Sequence, residues 1–136
     1  MRKGTDMDEV FDFLKKAGNY YLATVDGDQP RVRPLGSLDR FGDRLYIQTG
    51  KVKDVAKQIA VNPKVELCAL YEGAWVRIEA TLVEDISAEA QQHMLDAVPI
   101  LKNNYKVNDG NNEVLFMKDA TATFYGFGQE PRVVRF

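Results

Sequence analysis

Basic side chains gather in one stretch of the chain, residues 29–53, which reads as strand, turn, strand and the start of a helix. Arg31 and Arg33 are two residues apart on the first of these strands, so both side chains share one face. A guanidinium group is planar and matches phosphate oxygens with two parallel hydrogen bonds. The spacing predicts a phosphate site, and it fits equally well two arginines on a solvated strand face. Val32 and Pro34 lie on the opposite face or approach a ligand edge-on.

The helix that follows this stretch begins with two lysines, Lys51 and Lys53. The helix dipole makes this end positive, so each cation there costs about 0.3–1 kcal/mol. Two lysines at this end are favourable if an anion binds between them, helped by the free backbone N–H groups of the first turn. Thr49 would supply a hydroxyl, and Gly50 would allow close approach of the backbone. Alternatively, both lysines point to water and Asp54 supplies the favourable charge.

Few other side chains have types or spacings that suggest chemistry. Trp75 and Arg77 share one face of a later predicted strand. The Trp75 indole would lie there against a planar ring, or serve as an ordinary barrel or interface residue. The single histidine, His93, excludes a multi-histidine metal site and is expected on an exposed helix face. The sequence therefore predicts a binding site, with no catalytic residue nominated and no metal.

The composition limits the class of protein. The chain has 136 residues, a net charge of −2 and one cysteine, Cys68. This length predicts a single domain, residues 1–136, and the acidic balance lacks the basic footprint of a nucleic-acid-binding domain. There is no run of about 18 apolar residues and no signal-like start, so we expect no membrane partner and no export. A lone cysteine suits a reducing compartment, which predicts a cytoplasmic protein.

Hydrophobic periodicity predicts the helices and strands. Predicted helices span residues 7–17, 52–61 and 88–97, and predicted strands span residues 20–25, 30–38, 44–49, 64–71, 74–84, 113–118, 121–127 and 132–136. Residues 1–6 are expected to be disordered or tag-like, and residues 99–112 to form a surface loop. Ser87 is the expected N-cap of the third helix. The buried stripe of the second helix is predicted to be Val52, Val55, Ala56 and Ile59.

These elements favour a mainly β fold with flanking helices. Six to eight strands joined by short hairpins are typical of a closed or partly split β-barrel. Pro30 and Pro34 each remove one donor from a strand ladder, which places the second strand at an edge or interrupts it.

The order of four segments resembles the pyridoxamine 5′-phosphate oxidase-like, FMN-binding split-barrel family. The segments are PRVRPLG (30–36), LYIQTGKVK (45–53), NPKVEL (62–67) and WVRIEA (75–80). The resemblance covers about residues 7–84, and TATFYGFGQEP (121–131) looks like small bacterial members. It implies a split β-barrel that binds FMN at the interface of a homodimer, so that both chains build each site.

The resemblance also implies roles for individual residues. The FMN phosphate and ribityl chain would be held by Arg31, Thr49, Lys51 and Lys53. The edge of the isoalloxazine would run along Val32, Arg33 and Pro34, with Gln48 beside Thr49. Gly50 and Trp75 complete the expected cofactor-binding set.

The chain departs from the oxidase itself where substrate phosphate is bound. Trp75 stands where the oxidase has a glutamine, and Leu35 and Gly36 offer no counterpart to its late-strand lysine. The C-terminal substrate-binding Arg and His are missing from the ending VVRF (133–136). We therefore expect the flavin site to be retained and pyridoxamine phosphate oxidation to be lost.

These expectations make the protein a flavoprotein, a small FMN-dependent oxidoreductase acting on an unknown substrate. One alternative is a non-catalytic flavin-binding protein for storage or sensing. Others are a split barrel that binds haem or a deazaflavin, and a barrel that binds single-stranded nucleic acid, which the acidic pI of about 5.4 disfavours.

Overall fold

The computed structural model describes the backbone of residues 3–136. The helices are α1 (Lys3–Ala17), α2 (Asp54–Val61) and α3 (Ala88–Ala97), and a 3₁₀ helix covers Pro99–Asn103. The strands are β1 (Tyr20–Asp26), β2 (Gln29–Leu35), β3 (Asp39–Phe41), β4 (Arg44–Gly50), β5 (Lys64–Tyr71), β6 (Ala74–Glu84), β7 (Asn112–Tyr125) and β8 (Arg132–Arg135). Part of the segment expected to be disordered, residues 3–6, belongs to α1, and its other residues, 1 and 2, lie outside the described chain.

The strands form one antiparallel sheet in the order β2-β1-β5-β6-β7-β4-β3, with β8 also paired to β7. The two end strands, β2 and β3, do not pair with each other, so the barrel is split rather than closed. The predicted mainly β, split-barrel fold is confirmed. Strand β2 is an edge strand, which explains how it tolerates Pro30 and Pro34. Within the described chain, no helix combines the length and the apolar character needed to cross a bilayer.

The short strand β3 lies within residues 39–43, which separate the predicted strands 30–38 and 44–49 and to which the sequence assigned no strand. Its partner is β4, and α3 packs against it from the other side. His93 on α3 contacts Asp39 at 2.7 Å from Nε2 to Oδ2 and stacks on Phe41 with ring centroids 4.5 Å apart. The expectation of a simply exposed His93 is therefore wrong, because a strand that sequence periodicity missed supplies its partners.

Strand β7 replaces two predicted strands, residues 113–118 and 121–127. Its 14 residues run through Asp119 and Ala120, which separate the two predicted strands. Asp119 has a positive φ of 53°, and the ladder between β6 and β7 shifts register between Glu79 and Thr81. This irregularity bends the strand without ending it, so β7 pairs with β4 in its first half and with β8 in its second.

One face of the sheet is buried beneath α1 and α2. Leu22, Leu67 and Ile78 are fully buried there in the same core cluster as Met7 and Val10 of α1. Helix α2 contributes Val55, Ala56 and Ile59 to the buried side. Val52 is 71% exposed, which corrects the predicted stripe. The reason is that α2 begins only at Asp54, so Val52 precedes the helix.

The opposite face of the same strands is largely exposed, and we call it the open sheet face. The strand register gives its three rows: Leu70, Trp75 and Tyr125; Pro34, Tyr21, Cys68, Arg77, Thr123 and Val133; and Val32, Ala23, Glu66, Glu79, Thr121 and Arg135. Tyr21, Val32 and Leu70 are 52%, 68% and 64% exposed. Apolar side chains that share an exposed face in this way are typical of an interaction surface.

Candidate functional site

A cavity of about 680 Å³ lies between β2 and α2. Its polar lining consists of Asp26, Arg31, Arg33, Asp54, Lys57 and Gln58. Of the predicted site residues, Arg31, Val32 and Arg33 line this cavity. The alternation predicted for β2 is borne out by the strand register, since Arg31 and Arg33 pair with Thr24 and Leu22 of β1.

Arg33 carries a positive charge that neutral groups alone hold in place. Its guanidinium donates to the carbonyl of Leu22 at 3.0 Å, to Oγ1 of Thr24 at 2.7 Å and to Oε1 of Gln58 at 2.8 Å. No ion pair joins Arg33 to a carboxylate among the described residues. Burial, and secondarily the nearby charge of Arg31, lower the pKa of the Arg33 guanidinium below its usual range. An anion bound in the cavity would stabilise the charged guanidinium and so oppose both causes of the lowered pKa.

Arg31 and Lys57 are the other cations of the cavity. Arg31 Nε lies 3.2 Å from Oδ2 of Asp26, and both side chains are about half exposed. Such a surface ion pair contributes only ~0–1 kcal/mol, so Arg31 can turn to a ligand at little cost. Lys57 was not among the predicted site residues, although its spacing in the sequence pointed to it. It follows Lys53 by four residues, a spacing that puts two side chains on the same side of a helix.

Thr24 and Gln58 orient Arg33, and neither of them was among the predicted site residues. The Thr24 hydroxyl donates to Oε1 of Gln58 at 2.6 Å and accepts from Arg33. Gln58 lies 34 residues further along the chain than Thr24. Only the packing of α2 against β1 brings them together, so no local pattern could have shown this network.

The structure separates the two lysines that were predicted to act together. Lys53 is the N-cap of α2 and its side chain is exposed, so it does stand at the start of the helix. Lys51 precedes that start, and its Nζ lies 3.1 Å from Oε2 of Glu84. Lys51 lines a different, smaller cavity that also contains Asn112. Neither lysine lines the cavity between β2 and α2.

The three residues before Lys51 do not line that cavity either. Gln48 donates from Nε2 to Oδ1 of Asn112 at 2.9 Å. Thr49 is buried, and its Oγ1 has no hydrogen-bond partner among the described residues. A Cβ added to Gly50 would lie 2.8 Å from the Tyr105 hydroxyl, so a larger residue here would require the Tyr105 side chain to move.

Trp75 and Pro34 lie on the open sheet face. The Trp75 ring stacks on Tyr125 with centroids 5.2 Å apart and an angle of 8° between the planes. Within one chain, the predicted site residues thus fall in four places: the β2–α2 cavity, the end of β4, the N-cap of α2, and the open sheet face. Val32 is the link between two of them, because it lines the cavity and belongs to the open face.

Glu113 is a buried carboxylate next to Thr49, its direct partner across β4 and β7. Burial, and secondarily the charge of Glu84, raise the pKa of Glu113 above its usual value, while Lys51 opposes the shift. Because the folded pKa is the higher one, the folded state binds the proton more tightly. The contribution of Glu113 to stability is therefore present at low pH and is lost as pH rises through the folded pKa.

Glu113→Gln is expected to raise the free energy of unfolding at pH 7 and to change it little at pH 4. The neutral amide avoids the cost of burying a charge, so the free energy of unfolding falls less steeply as the pH rises above 4.5. Urea denaturation at several values between pH 4 and pH 7 measures this difference. The exposed Glu89→Gln variant is the control. Equal effects of Glu113→Gln at both ends of the range would contradict the assignment.

Comparison with known proteins places the chain in a family. A protein-family model described as pyridoxamine 5′-phosphate oxidase matches residues 7–124. The structure of a NimC/NimA family protein from Clostridium acetobutylicum is similar, with 36% sequence identity and a TM-score of 0.94, over 98% of this chain and 94% of that one. Comparison with curated proteins gave no match.

Two further solved structures share the fold at low identity. One is a pyridoxamine 5′-phosphate oxidase-related, FMN binding protein from Nostoc punctiforme, with 15% identity and a TM-score of 0.59, over 97% of this chain and 95% of that one. The other is a heme binding protein from Mycobacterium smegmatis, with 14% identity and a TM-score of 0.76, over 96% of this chain and 57% of that one. The family match spans nearly all of the split barrel, and this chain therefore belongs to the pyridoxamine 5′-phosphate oxidase-like family.

Proposed function

We propose that this protein binds FMN as a homodimer and acts as a small flavin oxidoreductase. The observation that carries the proposal is the partly buried charge of Arg33, which has only neutral partners among the described residues and shares its cavity with Arg31 and Lys57. A phosphate monoester carries about −1.5 to −2 charges at neutral pH. It would neutralise these cations and accept bidentate hydrogen bonds from the arginines.

Residues outside the cavity would contact the rest of the cofactor. Lys53 stands at the N-cap of α2, where the first-turn N–H groups favour an anion. The buried Thr49 hydroxyl lacks a partner among the described residues, and a ribityl hydroxyl or a phosphate oxygen would supply one. Strand β2 is an edge strand, so the backbone around Val32 and Pro34 is available to the rim of a flat ring.

A homodimer would bring the separated residues together. The open sheet face exposes Tyr21, Val32 and Leu70 beside the stacked pair Trp75 and Tyr125. A two-fold interface brings the same patch of both copies together, which would bury these apolar side chains. Because Val32 borders both the cavity and this face, a ring system extending from the cavity would reach the interface and the Trp75 of one subunit or the other.

Bound FMN would supply hydride and single-electron transfer. The residues of this chain would bind and orient it: Arg31, Arg33 and Lys57 at the phosphate, Thr24 and Gln58 holding Arg33, and the dimer interface excluding water. We nominate no residue as a general acid or base. The lone Cys68 suits a reducing compartment, and we propose a cytoplasmic location.

A second candidate is haem, because a haem-binding protein shares the fold. Haem iron usually needs a histidine, cysteine, methionine or tyrosine as axial ligand. The only histidine, His93, bonds to Asp39 and stacks on Phe41. No histidine, cysteine, methionine or tyrosine lines the β2–α2 cavity within the described chain. The lining thus favours a phosphate-bearing ligand.

The test begins with the visible spectrum of the purified protein. We expect a yellow protein that releases FMN on denaturation, and then faster anaerobic reduction of the bound flavin by NADH or NADPH than of free FMN. A colourless protein that cannot be reconstituted with FMN would overturn the proposal. Tight FMN binding without accelerated reduction by either donor would favour storage or sensing, and a Soret band would favour haem.

A further inference from the structure

A second cavity, of about 720 Å³, lies between α1 and the ends of β6, β7 and β8. It shares no lining residue with the β2–α2 cavity. Its volume lies within the range of about 300–1,000 Å³ that is usual for sites of small molecules. The residues that the argument uses are Asp12, Phe13, Tyr71, Phe124, Glu130 and Arg132.

Aromatic rings form the apolar wall of this cavity. Phe13 meets Tyr71 edge-on, with centroids 6.2 Å apart and planes at 84°, and meets Phe124 at 5.7 Å and 79°. In edge-to-face pairs of this kind, the electron-poor edge of one ring meets the electron-rich face of the other. One such face already attracts a cation, because the Arg132 guanidinium lies over the Phe124 ring at 4.8 Å.

The charged residues around the wall are mostly acidic. Glu9 pairs with Arg132, which also lines the cavity, and Asp8 pairs with Arg40 outside it. Asp12 and Glu130 remain, and neither forms an ion pair with another described residue. Among the described residues of the lining, Lys16 is the other cation. The unpaired groups therefore leave a negative excess at the cavity.

We propose that this cavity binds a small organic cation with an apolar body, of the class of arylalkyl amines. The rings would contact the apolar body, and a ring face would attract the ammonium group by a cation–π interaction. Asp12 and Glu130 would add Coulomb attraction. A carboxylate of the same shape would be repelled by these two groups and would lose the ring interaction as well.

The two cavities share no lining residue among the described residues, so amine binding and flavin binding are measured separately. Tyr125 lines the cavity and stacks on Trp75, the only tryptophan in the chain. Occupancy of the cavity would therefore change the surroundings of a single fluorophore. The two proposals fail separately, because binding of an amine is measurable whether or not FMN is present.

The experiment compares three ligands of nearly equal size that differ in charge: phenethylamine, phenethyl alcohol and phenylacetate. Isothermal titration calorimetry on the protein as purified, repeated after addition of FMN, gives the three affinities. We expect phenethylamine to bind at least about tenfold more tightly than phenylacetate, with the alcohol between them. Equal affinities for the three, or no binding of the amine, would overturn the proposal.

Substitutions test whether the amine binds in this cavity. Asp12→Asn combined with Glu130→Gln is expected to weaken phenethylamine binding by roughly threefold to tenfold, with little effect on the alcohol. The matched control is Asp28→Asn with Glu89→Gln, which removes two exposed carboxylates outside the cavity. Phe13→Leu should weaken the amine and the alcohol together. An equal loss of amine binding in the control pair and the cavity pair would refute the site.

Discussion

Replacing Arg31 and Lys57 with alanine in one variant is expected to weaken FMN binding by about 10²-fold or more. Both side chains line the β2–α2 cavity, where the partners of Arg33 within the described chain are all neutral. Each hydrogen bond to a charged group contributes ~1.5–3 kcal/mol, and each 1.4 kcal/mol corresponds to a factor of ten. Losing two such interactions removes enough binding free energy for the expected loss of affinity. Movement of the remaining cations toward the phosphate would recover less than this amount.

The variant is informative because we expect it to leave the fold intact. Arg31 and Lys57 are exposed, and the one ion pair lost, between Arg31 and Asp26, contributes ~0–1 kcal/mol. FMN affinity is measured by fluorescence quenching of the flavin on titration with apoprotein. The control, Lys106→Ala with Lys118→Ala, removes the same charge from exposed positions outside the cavity. If the two double variants bind FMN equally, the phosphate lies elsewhere.

The sequence predicted best those features that depend on neighbouring residues. Strands β5 and β6 have the predicted bounds, and Ser87 caps α3 by accepting from the backbone N–H of Ala90 at 3.2 Å. Alternation along β2 placed Arg31 and Arg33 on one face. Each of these features is set within a few residues by strand periodicity or by a helix cap.

The features that the sequence did not predict depend on distant parts of the chain. Lys51 turns to Glu84, which lies 33 residues further along the sequence, since 84 − 51 = 33. The Thr24–Gln58 contact that holds Arg33 spans 34 residues. The three-residue strand β3 has too few positions to show a period, and it forms because β4 and α3 flank it. Tertiary packing decides which of several possible partners such a side chain contacts, and sequence periodicity carries no information about that packing.

The separation of the predicted site residues has its own physical explanation if the functional unit is a dimer. A single chain leaves Trp75 and Pro34 on the open sheet face, away from the buried Thr49 hydroxyl. Positions that share a ligand across a two-fold axis need not be close within one chain. The family resemblance assigns all of these positions to one cofactor site. The fold of a single subunit places them on different faces of the sheet.

Leu70→Glu is the variant that tests this explanation, and it is expected to convert the proposed homodimer to a monomer at micromolar concentration. Leu70 is 64% exposed in the row that contains Trp75 and Tyr125. A two-fold axis would place two new carboxylates in the interface, and like charges brought together there cost several kcal/mol. About 2–4 kcal/mol raises the dissociation constant of the dimer by roughly 30-fold to 1,000-fold.

Size-exclusion chromatography with light scattering gives the mass at several protein concentrations, and the flavin absorbance of the same peak gives the FMN content. Mass and FMN content are expected to fall together, because both subunits would contribute to each flavin site. Ile100→Glu is the matched control, since Ile100 is 71% exposed on the 3₁₀ helix, outside the open sheet face. A Leu70→Glu protein that stays dimeric would place the interface on another surface. A monomer that keeps its FMN would show that one chain builds the flavin site without its partner.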